Sequence, residues 1–231
     1  ERGRLLMNVS TLYGALARRG KALALSTLVV PVTAWQVFAE PVVIAALGDS
    51  LTHGYGVPQG EGFVPQLESW LQAQGLDVTV QNAGVSGDTT QGGLSRVGWT
   101  LGPDVDAMIV TLGGNDALRG IDPAVSKTNL AGIIEAGQAA DVNVLLIGVE
   151  APMNFGADYK EAFDGMYGEL AAQYGVALAP DFFEAIRDLP AEELRALMQA
   201  DGIHPNVQGV AQILPVLGPY VQSLAVSAAE E

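Results

Sequence analysis

The sequence predicts an α/β fold, a parallel sheet covered by helices on both faces, and three observations carry that expectation. From residue 42 onward, short apolar runs alternate with stretches of helical period, the pattern of right-handed βαβ units. The leading run, Val42-Val43-Ile44-Ala45-Ala46-Leu47, is continuously apolar rather than alternating, as expected of a strand buried on both faces. Glycine-, Asn- and Asp-rich loops follow the strands or open the helices, where open α/β sheets put their chemistry.

Taken in order, the strand over 42–47 stops at Gly48-Asp49-Ser50, after which the chain turns helical in character. A helix is expected over 63–74, then a strand over 77–82 (Asp-Val-Thr-Val-Gln-Asn). The next helix, 89–101, has Asp88 or Thr89 as its N-cap. The apolar segment 105–112 reads as a third strand, 123–139 as a helix, and 142–149 as a fourth strand. A helix over 158–174, a strand over 176–179 and helices over 191–199 and 206–224 complete the pattern. Pro205 can open the last helix. Residues 40–231 show no internal repeat and no second composition regime, so they are read as one domain.

Residues 1–39 read differently. Arg18-Arg19-Gly20-Lys21 is a basic block, and 22–38 is apolar apart from Ser26, Thr27, Thr33 and Gln36. Val37-Phe38-Ala39 places small residues at −3 and −1 before Glu40-Pro41. These are the parts of a secretory signal, with cleavage expected after Ala39 and a periplasmic or secreted product. The run contains Pro31 and is short of the ~20 residues a membrane span needs, so no stable membrane insertion is expected after cleavage. Met7 is a candidate start, which would leave residues 1–6 outside the native chain.

Charge narrows the partners. Five of the 11 Lys and Arg residues, but only Glu1 of the 26 acidic ones, precede residue 40. The domain is therefore strongly acidic and would repel nucleic acid, anionic membranes and polyanionic substrates at low salt. The chain has no cysteine, which excludes disulfides, thiolate metal sites and a cysteine nucleophile.

Four short stretches carry chemistry. Gly48-Asp49-Ser50-Leu51 puts a serine at the end of the first strand, where it can act as a nucleophile. Ser86-Gly87-Asp88-Thr89 opens a helix, and the Gly87 N–H can reach an oxyanion with no Cβ in the way. Gly113-Gly114-Asn115-Asp116 offers the neutral side-chain amide of Asn115 as a second donor. Asp201-Gly202-Ile203-His204 sets a carboxylate three residues before a histidine, where it can fix the imidazole tautomer and leave the other nitrogen as base. Taken alone, each has a structural explanation: a turn serine, a helix cap, a Gly-Gly-Asn turn, a structural histidine. Together they are far more specific.

In order and spacing these stretches resemble the blocks of the SGNH (GDSL) hydrolases, whose four letters fall here on Ser50, Gly87, Asn115 and His204. The likeness spans residues 42–225. It is greatest to the bacterial thioesterase I/lysophospholipase L1 group, through Ser-Gly-Asp-Thr at 86–89, Leu-Gly-Gly-Asn-Asp at 112–116, Leu118-Arg119-Gly120 and Asp-Gly-Ile-His-Pro-Asn at 201–206. The resemblance implies a three-layer, flavodoxin-like sheet of order 2-1-3-4-5. It also implies hydrolysis of small acyl esters and thioesters without a cofactor. Ser50, His204 and Asp201 would form the triad, and Ser50 N, Gly87 N and the Asn115 amide the oxyanion hole.

Other positions bear on specificity. Met153 and Phe155, after the fourth strand, have side chains suited to an acyl substrate or to the core. His53 could compete as base but has no aspartate at the spacing His204 has, so it reads as a pocket-wall or surface residue. Asp49 adjoins the nucleophile and is assigned to loop hydrogen bonding. A metal site of Asp49, His53, Asp201 and His204 is an alternative for which no spacing fixes a geometry. Within the ester hydrolases the alternative is a short-chain or carbohydrate acetylesterase, and outside them a catalytically idle envelope-binding protein. A monomer with no metal is expected.

Overall fold

The computed structural model describes residues 40–230, so the predicted leader lies outside the described residues. Five strands, β1 (Val42–Gly48), β2 (Val78–Gly84), β3 (Ala107–Thr111), β4 (Asn143–Gly148) and β5 (Ala177–Asp181), form one sheet. Their order is β2-β1-β3-β4-β5, and every adjacent pair is parallel. This is the order the family resemblance implied.

Two-sided burial explains the unbroken apolar runs. Successive residues of β1 point to opposite faces: Ile44 and Ala46 enter one core, Ala45 and Leu47 the other. The first core is completed by α2 (Phe63–Ala73) and α8 (Val207–Ala229), the second by α3 (Thr90–Thr100), α5 (Pro123–Ala139) and α6 (Ala157–Tyr174). In α8 the buried residues Val210, Ile213, Leu214, Leu217, Val221, Leu224 and Ala225 recur at helical spacing. By length and composition α8 could cross a membrane, but half of its most apolar window is buried within the domain.

The helical character expected after Ser50 is a single turn, α1 (Ser50–His53), and a second short helix, α4 (Gly114–Arg119), stands where none was predicted. Neither is long enough to show a hydrophobic period, and both begin where a strand delivers the chain to the upper edge of the sheet. The remaining helix, α7 (Ala191–Leu197), ends two residues earlier than predicted, because Met198 pairs with Pro205 in an antiparallel bridge. Pro205 does not open α8. Asn206 caps that helix, its side chain accepting from Gly209 N, and Pro205 stands outside the cap.

The order β2-β1-β3 reverses the winding at β1, so the loops after β1 and β3 part and leave a crevice at the carboxyl edge of the sheet. Ser50 and Asn115 stand in the first turns of α1 and α4, just after β1 and β3, and Gly87 stands on the loop after β2. His204 arrives from the loop between α7 and α8.

Candidate active site

Asp49 leaves the strand as the N-cap of α1, its Oδ1 accepting from Leu51 N at 3.0 Å. This bond starts the helix one residue later and sets Ser50 at its first position. The close packing of α1 on β2 depends on Gly84, where an added Cβ would lie 2.3 Å from His53 N. Asp49 is buried, and its other oxygen accepts from Asn115 Nδ2 at 3.1 Å. Burial raises the Asp49 pKa, and the bonds from Leu51 and Asn115 restrain the rise. Asp49 therefore serves as loop architecture, as the sequence indicated.

The loop between α7 and α8 is closed on itself before it presents His204. Gln199 N donates to His204 O at 2.8 Å, and Asn206 N donates to Leu197 O at 2.9 Å. Asp201 Oδ1 accepts from Ile203 N at 2.9 Å and from His204 N at 3.1 Å. Its Oδ2 lies 2.7 Å from His204 Nδ1, and His204 Nε2 lies 2.8 Å from Ser50 Oγ. The hydrogen bond to His204, reinforced by the two backbone bonds, lowers the Asp201 pKa to about 2. An ionised carboxylate only accepts, so Nδ1 carries the proton and the Nε2 lone pair faces the serine hydroxyl.

Gly87 and Asn115 line the same cleft as Ser50 and His204. Neither Ser50 N nor Gly87 N has a hydrogen-bond acceptor among the described residues. Gly87 adopts φ +81, a conformation that favours glycine, and its carbonyl accepts from Arg119 Nη2 at 2.9 Å. Asn115 donates one amide hydrogen to Asp49, and the other has no acceptor among the described residues. The surrounding scaffold is stiff. Arg96 donates to Asp88, Ala83 O and Gly48 O, fastening the ends of β1 and β2 to α3. The buried Asp116 accepts from Thr90 N, Thr90 Oγ1 and Ser126 Oγ, fastening α4 to α3 and α5. Thr89, rather than Asp88, caps α3 by accepting from Gly92 N at 3.2 Å.

Ser50 and His204 open onto a cleft of about 350 Å³ whose walls include Leu118, Val149, Pro152, Phe183 and Ile203. Its apolar surface suits an acyl chain or another uncharged group. Met153 and Phe155 do not line it: Met153 is exposed, and Phe155 packs over Gly120 and against Tyr159. The 3₁₀ turn that carries them (Met153–Phe155) follows Pro152, which does line the cleft, so the expectation of substrate contact falls on Pro152 rather than on these two residues. Leu118 and Ile203 adjoin recognisable motifs and could have been found by asking what flanks them. Phe183 and Val149 carried no such signal. His53 is exposed and lines a separate depression with Pro58, Glu68 and Asn82. Among the described residues no group of three or more His, Asp or Glu side chains is placed to hold a metal ion.

A hydroxyl, an imidazole and a carboxylate in a hydrogen-bonded line, beside N–H donors without acceptors, are the equipment for acyl transfer through a covalent intermediate. Fold and site together define a hydrolase of the three-layer α/β class. The chain belongs to the GDSL-like lipase/acylhydrolase family, whose model matches residues 46–212. It is 38% identical over 187 residues to the esterase TesA of Pseudomonas aeruginosa, covering 80% of this chain and 90% of that protein. It is also 38% identical over 161 residues to thioesterase 1/protease 1/lysophospholipase L1 of Escherichia coli K12, covering 69% and 74%. Among solved structures it resembles the SGNH-hydrolase family esterase AlinE4, with 43% identity, a TM-score of 0.66 and coverage of 80% of this chain and 96% of that one. The protein is thus an enzyme of the esterase type.

Proposed function

We propose that this enzyme hydrolyses small acyl esters and thioesters with Ser50 as nucleophile, His204 as general base and Asp201 as its orienting partner. The observation that supports this most is the line Asp201 Oδ2–His204 Nδ1–His204 Nε2–Ser50 Oγ, with separations of 2.7 and 2.8 Å, facing an apolar cleft. His204 takes the Ser50 proton as Oγ attacks the acyl carbon. Ser50 N, Gly87 N and Asn115 Nδ2 receive the oxyanion. The imidazolium then protonates the leaving alcohol or thiol, and an acyl-enzyme remains. Water, deprotonated by His204, attacks the acyl-enzyme, and collapse of the second tetrahedral intermediate releases the acid and returns the proton to Ser50.

No step calls for a cofactor. The acidic domain favours uncharged or weakly charged substrates over polyanionic ones. The test is hydrolysis of p-nitrophenyl esters from acetyl to palmitoyl by residues 40–231 and by Ser50→Ala. Activity that vanishes with Ser50 and rises with chain length supports the acyl-ester reading. Cleavage of acetyl alone would move the substrate to small acetylated compounds. Undiminished activity in Ser50→Ala would refute the mechanism.

The basic block, apolar run and Ala39 site support a further reading of residues 1–39 as an export leader, with the mature enzyme acting in the periplasm or outside the cell. N-terminal sequencing of the exported protein tests it, and a first residue other than Glu40 would refute the cleavage site.

A further inference from the structure

Gln199 joins the loop that holds Ser50 to the loop that holds His204. Its backbone belongs to the second loop, donating to His204 O at 2.8 Å and accepting from Gly202 N at 3.0 Å. Its side-chain Nε2 donates to Pro205 O at 3.0 Å and reaches across to Tyr55 O at 2.7 Å. Tyr55 is anchored to the serine helix, its N–H donating to Ser50 O at 3.1 Å. The Tyr55 ring lies against the His204 imidazole, with centroids 4.8 Å apart and planes tilted by 43°.

The space for the Gln199 amide is provided at Gly56, where an added Cβ would lie 2.0 Å from Gln199 Oε1. One amide group thus spends its two hydrogens on two carbonyls of different loops. Gln199 is not among the residues that line the cleft, so it has no direct path to the reacting atoms.

We propose that Gln199 is a positioning residue: its amide, bonded to Tyr55 O and Pro205 O, fixes the separation and alignment of Ser50 and His204. The inference rests on the reading of Ser50 and His204 given under Proposed function. Without the amide, two carbonyls lose a donor and the serine loop is free to drift from the imidazole. A displacement of about 1 Å between reacting groups can cost on the order of 10² in rate.

Gln199→Met keeps the length of the side chain and removes both donors. Gln199→Glu keeps the shape and turns carboxylate oxygens toward the two carbonyls. Gly56→Ala leaves Gln199 in place and displaces its amide, and so serves if the Gln199 variants do not fold. Each is compared with wild type per titrated active site. The readouts are kcat and KM on p-nitrophenyl butyrate, and the second-order rate of inactivation by diethyl p-nitrophenyl phosphate.

The expected result is a loss of kcat of about 10- to 100-fold. KM should stay within about twofold, the inactivation rate should fall by the same factor as kcat, and Glu should be at least as impaired as Met. A purely structural role would lower the number of active sites but leave the rate at each unchanged. An unchanged kcat per site, or a rise in KM alone, overturns the inference. Ser50→Ala is run alongside. If it is inactive while the Gln199 variants are fully active, only the clamp is refuted; if it is active, the triad reading falls first.

Discussion

Asn115→Ala should damage catalysis and stability at once, for separable reasons. Of the three donors proposed to receive the oxyanion, only Asn115 offers a side chain, so only it can be deleted without rebuilding the backbone. Removing one such donor costs on the order of 10²–10³ in kcat, or ~2.7–4 kcal/mol of transition-state stabilisation. KM should change little, because the charge that Asn115 meets exists only after attack. The same substitution takes one of two hydrogen-bond donors from Asp49, which is 2% exposed. Leaving a buried acceptor underserved costs about 1–3 kcal/mol.

The stability loss should depend on pH. Burial holds the folded Asp49 pKa above its unfolded value, so the stability linked to this group is full below the unfolded pKa and declines as pH rises through the folded one. Loss of the Asn115 bond raises the folded pKa further. The penalty should therefore be larger at pH 8 than at pH 5. Steady-state kinetics and thermal unfolding at the two pH values check this. A fall in kcat of less than about fivefold, below the range for one lost donor, would refute the oxyanion role. A stability penalty that is equal at both pH values would refute the account of Asp49.

Three further outcomes are expected. Asp201→Asn retains an oxygen for Ile203 N and His204 N but offers an amide hydrogen to His204 Nδ1, so kcat should fall by about 10⁴ with the fold intact by circular dichroism. Leu118→Trp should narrow the cleft and shift the kcat/KM ratio of butyryl to decanoyl esters toward butyryl by about tenfold or more, whereas Met153→Ala should leave that ratio unchanged. Asp181 accepts from Glu150 N and Phe183 N, and burial pushes its pKa up to about 6. Its folded pKa lies above the unfolded value of 3.8, so its stabilising contribution is full below that value and is lost as pH rises through 6. Asp181→Asn removes this dependence. Denaturation at pH 4 and pH 7.5 should show the variant gaining stability relative to wild type at the higher pH, and a constant difference would contradict the assignment.

Features governed by local chemistry were legible in the sequence. Burial on both faces forces an unbroken apolar run, so β1 could be placed within a residue. That Ser50, Gly87, Asn115 and His204 share one cleft was legible because each of these proposed site residues stands on a short stretch of distinctive composition. Features governed by distant partners were not. Arg96 holds Gly48 O from 48 residues away, and Gln199 holds Tyr55 O from 144 residues away. Bonds to carbonyls leave no pattern, since every residue has one. Met153 and Phe155 had suitable side chains, but residue type does not reveal which residues of a loop reach the cleft wall. The helix α4 was missed, and α1 was read only as helical character without bounds, because six and four residues are too few to display a period.

The central claim is that Ser50 is the nucleophile, activated by His204. Its most direct test is mass spectrometry of residues 40–231 after exposure to diethyl p-nitrophenyl phosphate, with peptide mapping of the adduct. A single diethylphosphoryl group on Ser50 is expected, absent from Ser50→Ala and formed at least about 100-fold more slowly in His204→Ala. An adduct on any other residue, or esterase activity that survives stoichiometric loss of Ser50, would contradict it.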